Sequence, residues 1–475
     1  MPRVLRRAVM AICVLAGAVL PAAAFEVETG FEALRDPETK IEGLHRLYIG
    51  HEVAPGLSFG QAIYSAASGD AGGAFFWGFE AVKTQPLGGN FVLKFQWFIG
   101  GGGGAAQVVG DGLMLRAGVA ADYALSPHWG VQAGASWLRI AGANIEGPAV
   151  GLGLRYAVDP AKLRQGGALS LPLRSVSLGA AQVVARSGAQ TRAGAPQPDL
   201  SLVGAEAAFL LSGRNELTFG AAGAAKGGEG YMQVMGGLRH RIPLGPVDLF
   251  GEAALGFGGG GEVDTGAGAL VSVAGGVSVP LANWLDLDLA LGGTKALTGD
   301  HGGAVASVRL TRVFKRAPDR LTTGKPQKWA YSFGLSVQDP NVEFRKAGAP
   351  GSGRPIMQES SVDMFLTERL YLTGNAQTAM GGEVAGYAIG LLGLGYEMPL
   401  SPRWSASLEA HLGAAGGGGV NAAGGLIGGV RGEIDYALRD NLRLSLGLGT
   451  LRALKSGGLA PVVATAGLKI PFETR

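Results

Sequence analysis

The chain is short of three things that most folds of its length use. It has one cysteine in 475 residues, only 16% charged side chains, and no apolar run after the first two dozen residues near the roughly 18 a spanning helix needs. A single cysteine, Cys13, excludes a disulfide framework and a cysteine metal site. Charge well below the usual level of about 25% argues against an ordinary solvated surface, and the missing apolar runs exclude a bundle of membrane helices. The formal charge of +3 is that of Arg3, Arg6 and Arg7, and the rest of the chain balances (40 − 3 = 37 against 37), which gives no electrostatic case for nucleic acid as a partner.

What is abundant is glycine, 83 residues against a usual share of roughly 7%, and mean hydropathy is positive all the same. Residues 1–24 read as a signal peptide: Arg3, Arg6 and Arg7 precede the apolar run Ala8–Leu20, and Ala22-Ala23-Ala24 offers a small-x-small cleavage pattern. Cys13 lies inside that segment and not next to a cleavage point, which argues against a lipid anchor. The processed chain is expected to be formally neutral. An exported, apolar, glycine-rich chain without spanning helices points to a membrane β-barrel.

Alternation supports this. From His128 to Leu138, the residues Trp129, Val131, Ala133, Ala135 and Trp137 fall on one side, and His128, Gly130, Gln132, Gly134 and Ser136 on the other. Leu285–Leu291 and Leu442–Leu448 each put four leucines on one face, opposite Asp286, Asp288 and Ala290, or Arg443, Ser445 and Gly447. Strands segregate such residues cleanly, with lipid on one side and a lumen on the other. Aromatics gather beside the short turns (Phe91, Tyr123, Trp129, Tyr156, Phe314, Tyr396, Trp404, Tyr436, Phe472), where their rings would sit at headgroup depth.

Glycine runs begin at Gly100, Gly258 and Gly416, at equal intervals of 158 residues. Each is followed by a strand, a short turn such as YALSPHW or YALRDNL, and a closing strand with one basic residue on its lumen face: Arg155, Arg309 or Lys469. The pattern predicts three repeats of about eight strands, about 24 in all, with the glycine runs as outward hairpin tips where backbones approach or bend. The expected division is a signal peptide at 1–24, repeats at 25–158, 173–314 and 329–475, and polar linkers at 159–172 and 315–328. In the second repeat the strands are placed at 173–186, 200–211, 215–225, 230–242, 246–258, 265–278, 283–296 and 302–314. Linkers of a dozen residues at the repeat boundaries favour three tandem barrels over one fused wide barrel. Lumen positions rich in Gly, Ala and Ser fit narrow interiors that need little filling.

The segment Thr465-Ala466-Gly467-Leu468-Lys469-Ile470-Pro471-Phe472 resembles the C-terminal signal that Gram-negative outer-membrane proteins offer to their assembly machinery, and Tyr123–Trp129 is similar to a periplasmic turn of small OmpA- and OmpX-like barrels. The resemblance is to a class. It implies the outer membrane as location, with outer-membrane lipid and the assembly machinery as partners, and it transfers no functional residue. Residues 473–475 after Phe472, and Pro471 within a pairing strand, depart from the pattern.

No chemistry stands out. The six histidines form no HExxH motif, and none is followed two residues later by the serine found in barrels resembling lipid A deacylases. No cofactor, metal or catalytic residue is expected. Asp286 and Asp288 share a face about 7 Å apart, a spacing open to glycoside hydrolysis, yet they read better as lumen carboxylates paired with Arg309. Glu433 and Asp435 read likewise beside Arg443. Gln96, Glu252 and Glu409 fall at matching positions before the glycine runs. The candidate lumen lining is therefore Arg155, Arg309, Lys469, Gln96, Glu252, Glu409, Asp286 and Asp288. The expected function is a non-enzymatic passive pore for small solutes or polymer export. The alternatives are a structural protein presenting Gly100, Gly258 and Gly416 tips to an envelope or secreted partner, and a lipid- or glycan-modifying barrel enzyme.

Overall fold

The computed structural model describes residues 25–34, 39–104, 110–141, 145–158, 173–314 and 327–474, and all the named elements among them are strands. The expected signal segment and linker 159–172 lie outside the described residues, as does 315–326 of the second linker, whose last two residues, Gln327 and Lys328, instead begin a strand. The first repeat runs through β1 (Phe25–Leu34), β2 (Ile41–Ala54), β3 (Leu57–Gly69), β4 (Phe75–Gly88), β5 (Phe91–Gly103), β6 (Leu113–Ala124), β7 (Trp129–Ile140) and β8 (Ile145–Val158). The second comprises β9 (Leu173–Ala185), β10 (Leu200–Ser212), β11 (Asn215–Lys226), β12 (Met232–Leu244), β13 (Val247–Gly259), β14 (Ala269–Ala282), β15 (Leu285–Ala296) and β16 (Gly302–Val313). The third comprises β17 (Gln327–Asp339), β18 (Ile356–Phe365), β19 (Leu370–Gly381), β20 (Ala388–Pro399), β21 (Trp404–Gly416), β22 (Leu426–Arg439), β23 (Leu442–Ala453) and β24 (Val462–Thr474).

Each repeat closes on itself as an antiparallel eight-stranded barrel. The closing pairs are β1 with β8 (Gly30 opposite Gly153), β9 with β16 (Gly179 opposite Arg309) and β17 with β24 (Gly334 opposite Gly467). These ladders separate three narrow barrels from one wide one, because a fused barrel would pair β8 with β9 instead. Full closure leaves no strand edge exposed.

The alternation of the sequence is the alternation of the wall. Along β7, Trp129, Val131, Ala133, Ala135 and Trp137 are exposed, and Gly130, Gln132, Ser136 and Leu138 are buried. Rings pair at the short-turn end of the wall: Phe91 with Tyr123 at 4.9 Å, Trp129 with Tyr156 at 4.8 Å and Trp404 with Tyr436 at 4.8 Å between centroids. Pro471 is accommodated at the end of a ladder. The β23–β24 pairing stops at Lys469, whereas β24 pairs with β17 through Pro471 opposite Ala330, so the missing N–H costs no bond on the β23 side.

Candidate functional site: three charged lumens and a glycine junction

Inward positions of an eight-stranded barrel lie close enough for side chains to meet across the interior. In barrel 1, Arg46 on β2 binds Glu28 on β1 at 2.7 Å and also pairs with Glu80 on β4, while Tyr64 donates to Glu80 at 2.8 Å. Lys94 pairs with Glu26 and Glu28, and Arg155 binds Asp122 at 2.9 Å. Arg116 binds Glu32 and donates to Gln96 Oε1 at 3.0 Å. In barrel 2, Arg239 holds Glu206 and Glu252, each at 2.6 Å, and Arg309 holds Glu206 at 2.9 Å. The ring of Phe250 lies under three guanidinium groups, those of Arg239, Arg241 and Arg309, at 5.2, 5.5 and 5.7 Å. In barrel 3, Arg431 binds Glu409 at 2.8 Å and Glu433 at 3.1 Å and pairs with Glu359, and Lys469 binds Glu433 at 3.0 Å and Asp435 at 3.1 Å.

The six candidates at matching positions enter these networks, and Asp286 and Asp288 are buried. Three expectations are corrected. The interiors are filled by long charged side chains and not by Gly, Ala and Ser alone. Asp288 stands opposite Arg309 in the ladder, but Arg309 reaches across to Glu206, because two carboxylates and Phe250 draw it there. Asp288 instead accepts a bond from Thr311 at 2.8 Å and lies 4.0 Å from Arg241, and Asp286 is 3.5 Å from the Ser278 hydroxyl. In barrel 3, Glu433 and Asp435 take Lys469, and Arg443 takes Glu397 at 3.3 Å. Missing from the sequence reading are Glu28, Arg46, Glu80, Lys94, Arg239 and Arg431. A signal existed: Glu26, Glu28 and Glu32 share one face of β1.

The glycine runs also lie elsewhere than at free tips. Gly100 is inside β5, opposite Gly78 and Met114, and Gly258 and Gly416 lie in the last two residues of β13 and β21. The same bond closes each tip: Gly102 N–H to Gly112 O, Gly258 N–H to Gly268 O and Ala415 N–H to Gly425 O, at 3.1, 2.9 and 2.8 Å. A second glycine motif repeats at the β3–β4, β11–β12 and β19–β20 turns. There Ala74 donates to Ala71 O, Tyr231 to Gly228 O and Tyr387 to Val384 O, with Gly73, Gly230 and Gly386 at φ of 89, 90 and 82°. Those φ values are left-handed, and only glycine takes them without strain.

Tips and turns meet between barrels. A β-carbon on Gly103 would fall 2.5 Å from Gly386 N, one on Gly259 would collide with Gly73, and one on Gly416 with Gly230. Barrel 1 thus docks its tip on barrel 3, barrel 3 on barrel 2, and barrel 2 on barrel 1.

Beside the barrel 2 tip, His301 is buried between Gln197 Nε2, 2.9 Å from its Nδ1, and the Tyr231 hydroxyl, 3.5 Å from its Nε2. Burial holds its imidazole down, at about 4 against an ordinary 6.5, with Asp264 opposing the shift. A lowered pKa leaves the folded state neutral, so its stability is complete above pH 6.5 and is lost as pH falls toward 4. The loss should reach about 3 kcal/mol, at 1.36 kcal/mol for each pKa unit. Hydrogen exchange across 186–199 should speed up between pH 7 and pH 4.5, and His301→Gln should remove that dependence. Exchange equally pH-dependent in the variant would show that another group is responsible.

No family model matches the chain, and no curated protein matches it. Among solved structures it is similar to the outer membrane protein opdK from Pseudomonas aeruginosa, at 12% identity over 96% of this chain and 100% of that one, with a TM-score of 0.24. It is also similar to a copper transporter OprC (12% identity, 96% and 82% covered, TM-score 0.30). A third is a BenF-like porin from Pseudomonas fluorescens Pf-5 (11% identity, 95% and 98% covered, TM-score 0.22). At TM-scores this low, no solute, metal or partner passes from those proteins to this chain.

Proposed function

We propose that the chain is a non-enzymatic integral protein of the Gram-negative outer membrane that passes ions or very small polar solutes through three narrow lumens, with the ion pairs as its gates. The outward aliphatic faces, the aromatic pairs at the short-turn end and the closed barrels support the membrane reading. The observation that carries the transport reading is that all three lumens keep a charged network although the pairings differ in each. Buried ion pairs add little stability over apolar filling, so a purely structural barrel has no need of three of them. Polymer export is not favoured, because each lumen is crossed by side chains.

Planar-bilayer recording tests this. The protein should give small steps, far below those of a wide pore, and Arg309→Glu should move the reversal potential toward cations by removing the counter-charge of Glu206 and Glu252. Silence from both proteins would sink the transport reading and leave the second one, a closed scaffold. The packed lumens and the joined tips are what favour that alternative.

A further inference from the structure

We infer that the outer ends of the three barrels form a self-complementary ring that holds the molecule together without its linkers, each barrel offering one glycine tip and accepting a neighbour's tip on one glycine turn. The partner each face fits is another copy of the same repeat. This goes beyond the transport reading and stands or falls separately from it.

The contact is heterologous: among the described residues, tip glycines meet turn glycines and not other tips across the seams. Such an interface generates a ring when its rotation closes, and the order barrel 1 on 3, 3 on 2 and 2 on 1 is closed. Backbones meet directly where the glycines leave room. Gly386 N–H donates to Gly102 O at 2.8 Å and Ala385 N–H to Gly110 O at 2.9 Å between barrels 3 and 1, and Gly72 N–H donates to Gly266 O at 2.7 Å between barrels 1 and 2. Carboxylates take further backbone donors across the seams. Asp111 of barrel 1 accepts from Gly382 and Glu383 of barrel 3, both at 3.0 Å. Glu229 of barrel 2 accepts from Ala422 at 3.3 Å and Gly424 at 2.8 Å of barrel 3, whose Lys346 lies 2.9 Å away.

Chain order shows that these contacts are not a by-product of tethering. Barrels 1 and 3 are the pair that no single linker joins, yet their seam continues from the tips down the wall. Phe59, Phe79 and Phe333 meet with centroids 5.4 to 6.1 Å apart. Gln61 donates to the hydroxyls of Tyr331 and Ser360, both at 2.5 Å, and accepts from Trp77 Nε1 at 2.9 Å. Outward polar groups would be unsatisfied in hydrocarbon, and the Gln61 amide N–H group finds its acceptors on the facing barrel.

The test uses the full chain with protease sites inserted at 159–172 and 315–326, cut after purification in mild detergent. The three fragments are expected to co-elute at the size of the uncut protein and to part only on boiling. In the cut chain, Gly103→Val with Gly259→Val and Gly416→Val should release the barrels, each still showing the gel shift between unheated and boiled samples. Gly251→Val, at a wall glycine where a side chain meets nothing within 4 Å, should leave them joined. Separation of the cut wild-type chain, or persistence of the assembly in the triple variant, would overturn the inference. If the triple variant loses its gel shift, the cut wild type decides alone.

Discussion

Replacing Arg239 by alanine is expected to destabilise barrel 2 by about 3–5 kcal/mol, the cost of removing one partner from a buried ion pair. Arg239 is fully buried, bonds Glu206 and Glu252 at 2.6 Å each, and lies 3.6 Å from Glu216. Its loss leaves Glu206 and Glu252 to share Arg309, 2.9 and 3.7 Å away, in a lumen where water cannot fully replace the missing cation. Combining Arg239→Met with Glu252→Gln, which keeps Glu206 paired with Arg309 at 2.9 Å, should recover most of the loss, since the penalty belongs to the unpaired charge and not to the missing contact. Urea titration followed by proteolysis within 173–313 reads the effect. Cleavage in barrels 1 and 3 should keep its midpoint, because each closes on its own ladder. An unchanged midpoint for barrel 2 would mean that these pairs are hydrated and carry no strain when broken.

That lumen marks where sequence reading stopped. Strand positions in the second repeat were legible to within a few residues: 173–186, 215–225 and 302–314 are β9 (Leu173–Ala185), β11 (Asn215–Lys226) and β16 (Gly302–Val313). Period-two alternation between an outer and an inner face is a local property, written into each strand separately. The division into three eight-stranded barrels was legible because the short turns and the closing-strand charge recur. The ion pairs were not, because ladder neighbours on one face need not be bonding partners. Arg46 on β2 reaches Glu80 on β4, and Arg309 passes over Asp288 to Glu206, choices set by barrel width and side-chain length. The glycine runs showed that something unusual recurs, but a run reads the same whether it ends a free hairpin or meets another barrel. Gly73, Gly230 and Gly386, which receive the tips, sit in short glycine-containing turns, and their only signal is recurrence at close to the repeat interval (230 − 73 = 157, 386 − 230 = 156).

Leu291→Arg and Leu152→Arg should each destabilise the protein by about 2–4 kcal/mol in a bilayer, the cost of arginine near the midplane of a barrel's lipid face. Both leucines sit near the middle of their strands and are 71% and 72% exposed. The sign of the effect is what matters. In water, arginine at a position this open touches little and falls within about 0.5 kcal/mol of neutral. In hydrocarbon it cannot escape its desolvation except by snorkelling. Leu125, as open at 61% but placed in the short turn beside the aromatic pairs, supplies the depth control, and Leu125→Arg should cost about 0–1 kcal/mol. Measured by urea titration in lipid vesicles, a depth-dependent series would assign the leucine faces to lipid independently of any resemblance. Three equal, near-zero effects would place those faces against water, and the membrane reading of the three barrels would fail with them.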